Sequence, residues 1–183
     1  MEGAFFKKTQ KLVSLSESNL VDCEPQSSGC NGGLEIYAYQ YARDNGINTE
    51  EDYPYHPRNG RCKFDDSNTV FKISTYIELP AKDEEGLTNK VATEGPISVG
   101  IDAGQTSFQL YHSGVYYEAN CHENEFRLNH SVLVVGYGAD GNEEFYMVKN
   151  SWGTGWGMDG YIKMSRNRNN NCGIATDANL PVA

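Results

Sequence analysis

Two short segments of this 183-residue chain carry side chains that could act together on a substrate. One is Asn129-His130-Ser131-Val132-Leu133-Val134-Val135-Gly136-Tyr137-Gly138. The other is Lys149-Asn150-Ser151-Trp152-Gly153-Thr154-Gly155-Trp156-Gly157. An imidazole can take up and return a proton near neutral pH. It does so productively when a further group fixes its tautomer and the direction of its ring. His130 opens a strand-like run and Asn150 lies just after another, so adjacent antiparallel strands would bring them together. Trp152 would then cover the pair and exclude water, which strengthens a hydrogen bond between them. His56, His112 and His122 have no such context, and a surface or satisfied role is expected of each.

The elements that must hold these residues change character along the chain. Residues 2–8 read as the end of a helix. Residues 14–23 offer a serine cap ahead of an apolar face at Leu20 and Val21. Residues 25–33 are rich in turn formers. Residues 34–45 read as a helix closed by Asn45-Gly46. The second half shifts to a period of two: residues 71–77, 97–101, 131–137, 144–149 and 160–165 read as strands between glycine breaks. Residues 84–94 read as a helix stopped by Gly95-Pro96. Helices followed by strands predict an α+β fold, with a helical part over residues 1–75 and a β-rich part over 76–183.

A net charge of −10 repels other polyanions, which argues against nucleic acid or an anionic membrane as partner. No apolar run approaches a membrane span, and no signal peptide is visible. The five cysteines, Cys23, Cys30, Cys62, Cys121 and Cys172, are an odd number. At least one therefore lacks a partner within the chain. With no C-x-x-C and no histidine at suitable spacing, a metal site is not expected. No residue pattern calls for a cofactor.

The His130 and Asn150 segments resemble those of the papain-like cysteine peptidases. The resemblance runs along nearly the whole chain. Gln10-Lys11-Leu12-Val13-Ser14-Leu15-Ser16-Glu17, Gly29-Cys30-Asn31-Gly32-Gly33, Gly95-Pro96-Ile97-Ser98-Val99 and Asn171-Cys172-Gly173-Ile174-Ala175 are similar to the cathepsin L branch. The resemblance implies a two-lobed fold with a helical lobe, here incomplete, and an antiparallel β-barrel-like lobe. It implies His130 and Asn150 as catalytic residues serving a cysteine nucleophile, with Trp152 in support. It places Gly33, Leu34, Glu35, Gly100, Leu128, Asn129 and Asp177 in the substrate-binding site. It pairs Cys23 with Cys62 and Cys121 with Cys172, and leaves Cys30 unpaired. No cofactor is implied.

One departure stands out. The family carries its nucleophile in a C-G-[SA]-C-[WY] signature, and none occurs in these 183 residues. The chain is therefore read as N-terminally truncated, with the nucleophile and the partner of Cys30 in the missing segment, and as inactive in this form. Glu35 and Asp177 are also more acidic than the specificity pocket of the branch. The expected function is a cathepsin L-like cysteine endopeptidase, monomeric and lysosomal or extracellular. Its partners would be peptide or protein substrates and cystatin-like or propeptide-like inhibitors. The alternative is a non-catalytic relative of the same fold, a silicatein-like structural protein or a decoy.

Overall fold

A computed structural model describes residues 1–183. The chain divides into two units, Met1–Ile77 with Pro181–Ala183, and Glu78–Leu180.

The first unit is built on three helices. α1 (Glu2–Thr9) has Glu2 in its first turn and Lys7 and Lys8 in its last, which suits the helix dipole. α2 (Glu17–Cys23) is capped by Ser16, whose Oγ accepts from Asn19 N at 2.9 Å. α3 (Glu35–Asp44) turns Tyr39 and Ala42 into a core completed by Leu15, Ile47, Phe71 and Ile73. Ala183 packs on that core. The strand expected over residues 71–77 is shorter here. Phe71 and Ile73 do alternate inward with Lys72 outward. Phe71, however, finds only an isolated bridge to Ile47, and a continuous strand starts at β1 (Thr75–Glu78). Alternation thus marks burial; a ladder also needs a neighbouring strand.

The second unit is organised by a sheet. Its strands are β2 (Ile97–Ile101), β3 (Val115–Tyr116), β4 (His130–Asp140), β5 (Glu143–Lys149), β6 (Tyr161–Ser165) and β7 (Asp177–Val182). With β1 the sheet has seven strands in the order β1-β7-β2-β4-β5-β6-β3. The β2–β4, β2–β7, β4–β5 and β5–β6 pairs are antiparallel and β3–β6 is parallel. The sheet is open, with β1 and β3 at its edges. Ile97, Val99, Ile101, Val134, Tyr146, Val148 and Ile162 are fully buried. α4 (Glu84–Glu94), capped by Asp83, buries Leu87 and Val91. Tyr146 keeps its hydroxyl satisfied inside this core by donating to Glu84 O at 2.8 Å. The architecture is α+β.

Candidate active site

His130 is the first residue of β4, and Asn150 follows the last residue of β5. Antiparallel pairing of these strands sets Leu133 opposite Lys149, so both side chains come from one end of the same hairpin. His130 Nε2 and Asn150 Oδ1 are 2.7 Å apart. An amide oxygen only accepts, so Nε2 carries the hydrogen and Nδ1 is the nitrogen left to exchange a proton. Asn150 Oδ1 also accepts from Ser151 N at 2.8 Å, and Asn150 N donates to Gly160 O at 3.0 Å. Asn150 is buried, and its Nδ2 has no hydrogen-bond partner. The amide is therefore aligned by its oxygen.

Trp152 lies over the histidine, ring centroids 5.0 Å apart and planes tilted by 32°. It is 42% exposed, so it shields one face of the ring and leaves its own outer face to solvent. Behind it stand Phe108 at 5.6 Å and Trp156 at 5.4 Å, both edge-on. Phe108 is fully buried and comes from the short helix α5 (Thr106–Gln109). Trp156 is fixed by its indole N–H, which donates to Gln109 O at 3.0 Å. Neither α5 nor the part played by Phe108 was anticipated from the sequence. A lone phenylalanine in a polar stretch carries no period to mark it.

Gly100, Leu128 and Asp177 are brought together. Gly100 pairs with Asp177 across β2 and β7. A Cβ on Gly100 would lie 3.2 Å from Leu128 Cδ1 and 3.7 Å from Asp177 Oδ2. A Cβ on Gly173 would come within 2.5 Å of Leu128 Cδ2, so Leu128 fits between two glycines. Asp177 Oδ1 accepts from Asn179 Nδ2. Gly33, Leu34 and Glu35 belong to the first unit. Gly33 has to be glycine because Ser27 Oγ occupies the space a Cβ would need. Leu34 is 46% exposed at the start of α3, and Glu35 Oε1 is buried without a partner.

Cys23–Cys62 and Cys121–Cys172 are disulfides, and Cys30 is a free, exposed thiol whose backbone N donates to Asn59 Oδ1. No group of three or more His, Cys, Asp or Glu could hold a metal ion. No helix is long and apolar enough to cross a membrane. Two of the other histidines are tied locally, His56 Nε2 lying 3.1 Å from Asp22 Oδ2 and His122 Nε2 lying 3.0 Å from Arg127, and His112 is exposed.

Comparison with known proteins places this geometry in a family. The sequence pattern of papain family cysteine proteases matches residues 1–182. A cathepsin L-like protein of Caenorhabditis elegans is 51% identical over 186 residues, covering 100% of this chain and 55% of its own length. Procathepsin L of Rattus norvegicus is 49% identical over 189 residues, covering 100% and 56%. The solved structure of digestive procathepsin L 3 from the larval midgut of Tenebrio molitor superimposes with a TM-score of 0.95 at 43% identity, covering 100% of this chain and 60% of that one. The chain spans just over half the length of these curated relatives. With the family pattern running from end to end and the fold shared with procathepsin L, the chain belongs to the papain family of cysteine proteases, on its cathepsin L-like branch.

Proposed function

We propose that the complete protein is a cysteine endopeptidase in which His130 is the general base and acid and Asn150 its orienter. The observation that carries this reading is the 2.7 Å contact from His130 Nε2 to Asn150 Oδ1, which leaves Nδ1 as the proton-exchanging atom. A thiol beside Nδ1 would pass its proton to the ring and become the attacking thiolate. The thiolate would add to the peptide carbonyl. The imidazolium would then protonate the leaving amine, and a water activated by the same nitrogen would release the acyl group. Asn150 holds the ring through both half-reactions, and Trp152 keeps water from competing for that bond.

These 183 residues hold no C-G-x-C-W motif, so by themselves they turn over no peptide. Substrates are peptides or proteins, inhibitors are cystatin-like or propeptide-like, and the setting is lysosomal or extracellular. The test uses a thiol-directed epoxide and a dipeptidyl fluorogenic substrate, on the 183-residue chain and on the complete protein. The complete protein should be labelled and active, and the shorter chain neither. Cystatin-sensitive turnover by the shorter chain would overturn its assignment as inactive. A complete protein with the motif but without labelling would favour the binding or structural alternative.

Within the same reading, Asp177 helps select the residue bound at Gly100 and Leu128. Its Oδ1 is held by Asn179, while Oδ2 points toward the space over Gly100, beside apolar Leu128. A carboxylate over an apolar wall accepts Arg as well as Phe or Leu. Comparing Arg-Arg with Phe-Arg substrates tests this: Asp177→Ala in the complete protein should lower the Arg-Arg to Phe-Arg ratio of kcat/KM. An unchanged ratio removes Asp177 from selection.

A further inference from the structure

His130 has one neighbour upstream and one ladder downstream. The ladder is sound, because His130 is opposite Ile101 in β2 and Ser131 opposite Gly100. Upstream, β4 is preceded by an exposed 3₁₀ turn at Glu125–Arg127, with no strand to hold it. A strand beginning in that way frays at its first residue, and the first residue here is His130.

The side chain that prevents fraying is Asn129. Its backbone N donates to Ile101 O at 3.0 Å. Its Oδ1 accepts from Ala103 N at 3.0 Å, and its Nδ2 donates to Asp102 Oδ1 at 3.2 Å. Both ends of the amide are thus fastened to the segment that leaves β2. Asp102 is the centre of this fastening. It is 2% exposed. Its Oδ2 accepts from His122 N at 2.8 Å and its Oδ1 also accepts from Gly104 N at 3.1 Å. Burial alone would push this carboxyl up, but these hydrogen bonds and the one from Asn129 hold it below its ordinary value. A buried carboxylate with several donors has one orientation, and it fixes which way the Asn129 amide faces.

We propose that Asp102, acting through Asn129, is a positioning residue for His130, holding the ring where Asn150 can keep the proton on Nε2. This rests on the reading of His130 as the base. The ring's side-chain hydrogen bond is to Asn150, and Asp102 and Asn129 act on the backbone from which the ring projects. A displacement of about 1 Å at such a site can cost two orders of magnitude in rate.

The experiment reads the ring itself and needs no nucleophile. Histidine side chains of the 183-residue chain are labelled with ¹⁵N, and the His130 tautomer is measured by NMR above its titration. The wild type should show Nε2–H in large excess over a small, measurable Nδ1–H share. Asp102→Ala and Asn129→Ala should raise the Nδ1–H share roughly five-fold, the factor that one net hydrogen bond supplies. Asn129→Ala leaves the backbone bonds of Asp102 in place, so it answers the question if Asp102→Ala does not fold. Ile47→Ala, a core change in the first unit, should lower the unfolding midpoint yet leave the tautomer alone. Wild-type tautomer spectra in Asn129→Ala would overturn the proposal, as would an equal change in Ile47→Ala. Turnover by the complete protein tests the peptidase reading separately.

Discussion

The two units solve the same problem by different means. Every buried backbone N–H and C=O needs a partner. In Glu78–Leu180 the strands supply those partners to one another, so apolar residues can fill the space along them: Ile97, Val99, Val134, Val148 and Ile162 have no exposed surface. In Met1–Ile77, outside its helices and β1, the loops have isolated bridges such as Leu15↔Thr49 and Ile47↔Phe71, and side chains do much of the pairing. Buried Asn19 accepts from Asn48 N at 3.0 Å and donates to Tyr41 Oη at 3.1 Å. Glu24 accepts from Gln26 N and Ser27 N. Asp22 accepts from Gly60 N at 2.6 Å and Tyr53 Oη at 2.7 Å. A sheet therefore frees its polar side chains at the strand ends, which is where His130 and Asn150 are found. The helical unit uses its polar side chains to hold loops.

The largest test of this contrast is the disulfide of the first unit. Cys23 and Cys62 are 39 residues apart, and opening such a loop removes about 4 kcal/mol in the chain-entropy model. Cys23→Ser with Cys62→Ser should therefore melt the first unit while amides of β4 and β5 keep their protection against hydrogen exchange. The loop closed by Cys121–Cys172 is of similar length, at 51 residues. Opening it should cost about as much, but the ladders around it should keep the sheet protected. Equal loss of protection in both units after either change would end the distinction.

Single substitutions sharpen it. Ile162 is fully buried in β6, and Ile162→Ala should cost about 3–4 kcal/mol through lost burial and a cavity. Asn19→Ala removes little apolar surface, yet it orphans the Asn48 N–H, and should cost about 2 kcal/mol. The measurement is hydrogen exchange resolved to each unit. Asn19→Ala leaving the first unit unchanged would mean that its polar network is incidental.

How much of this was legible follows from how local each signal is. α4 was read over the residues it occupies, because Gly95-Pro96 stops it and its apolar face repeats. The strand-like runs that became β2, β4, β5 and β6 were marked by β-branched and aromatic residues between glycines. The serine cap of α2 was marked by spacing. What was not legible rests on contacts distant in sequence. Asp102 meets Asn129 across 27 residues, and Phe108 reaches Trp152 across 44 positions of sequence. β3 has two residues, too few for a period to appear. The pairing of His130 with Asn150 lay between, since strand order had to be assumed before the two could meet.

The units should also respond to pH with opposite sign. Burial raises the Glu17 carboxyl above its ordinary value of 4.5, with the nearby Glu50 and Glu2 adding to it. A raised carboxyl contributes stability that is complete below that ordinary value and fades as pH climbs through the raised one. Asp102 behaves in reverse. Its lowered carboxyl contributes stability above the ordinary 3.8, lost as pH falls through the lowered value. As pH rises from 4.5 through the raised value, Glu17 should take protection from the first unit while Asp102 leaves the second unchanged, and Glu17→Gln should flatten that slope. A second unit that weakens over the same interval would contradict the assignment.

The smallest expected effect is no effect, at a sequence that invites modification. Asn129-His130-Ser131 has the form of an N-glycosylation acceptor. Transfer of a glycan takes place at Asn Nδ2. In this fold that nitrogen is turned inward, 3.2 Å from the carboxylate of buried Asp102, although Asn129 itself is exposed. A sugar on Nδ2 would displace this bond, and with it the bond from Ala103 N that the same amide accepts at 3.0 Å. It would also stand beside His130. The folded protein should therefore carry no glycan there. Intact mass of secreted material, taken before and after glycosidase, should not change. A fall in mass would show that Asn129 faces outward in the native state, and the fastening of β4 to Asp102 would have to be abandoned with it.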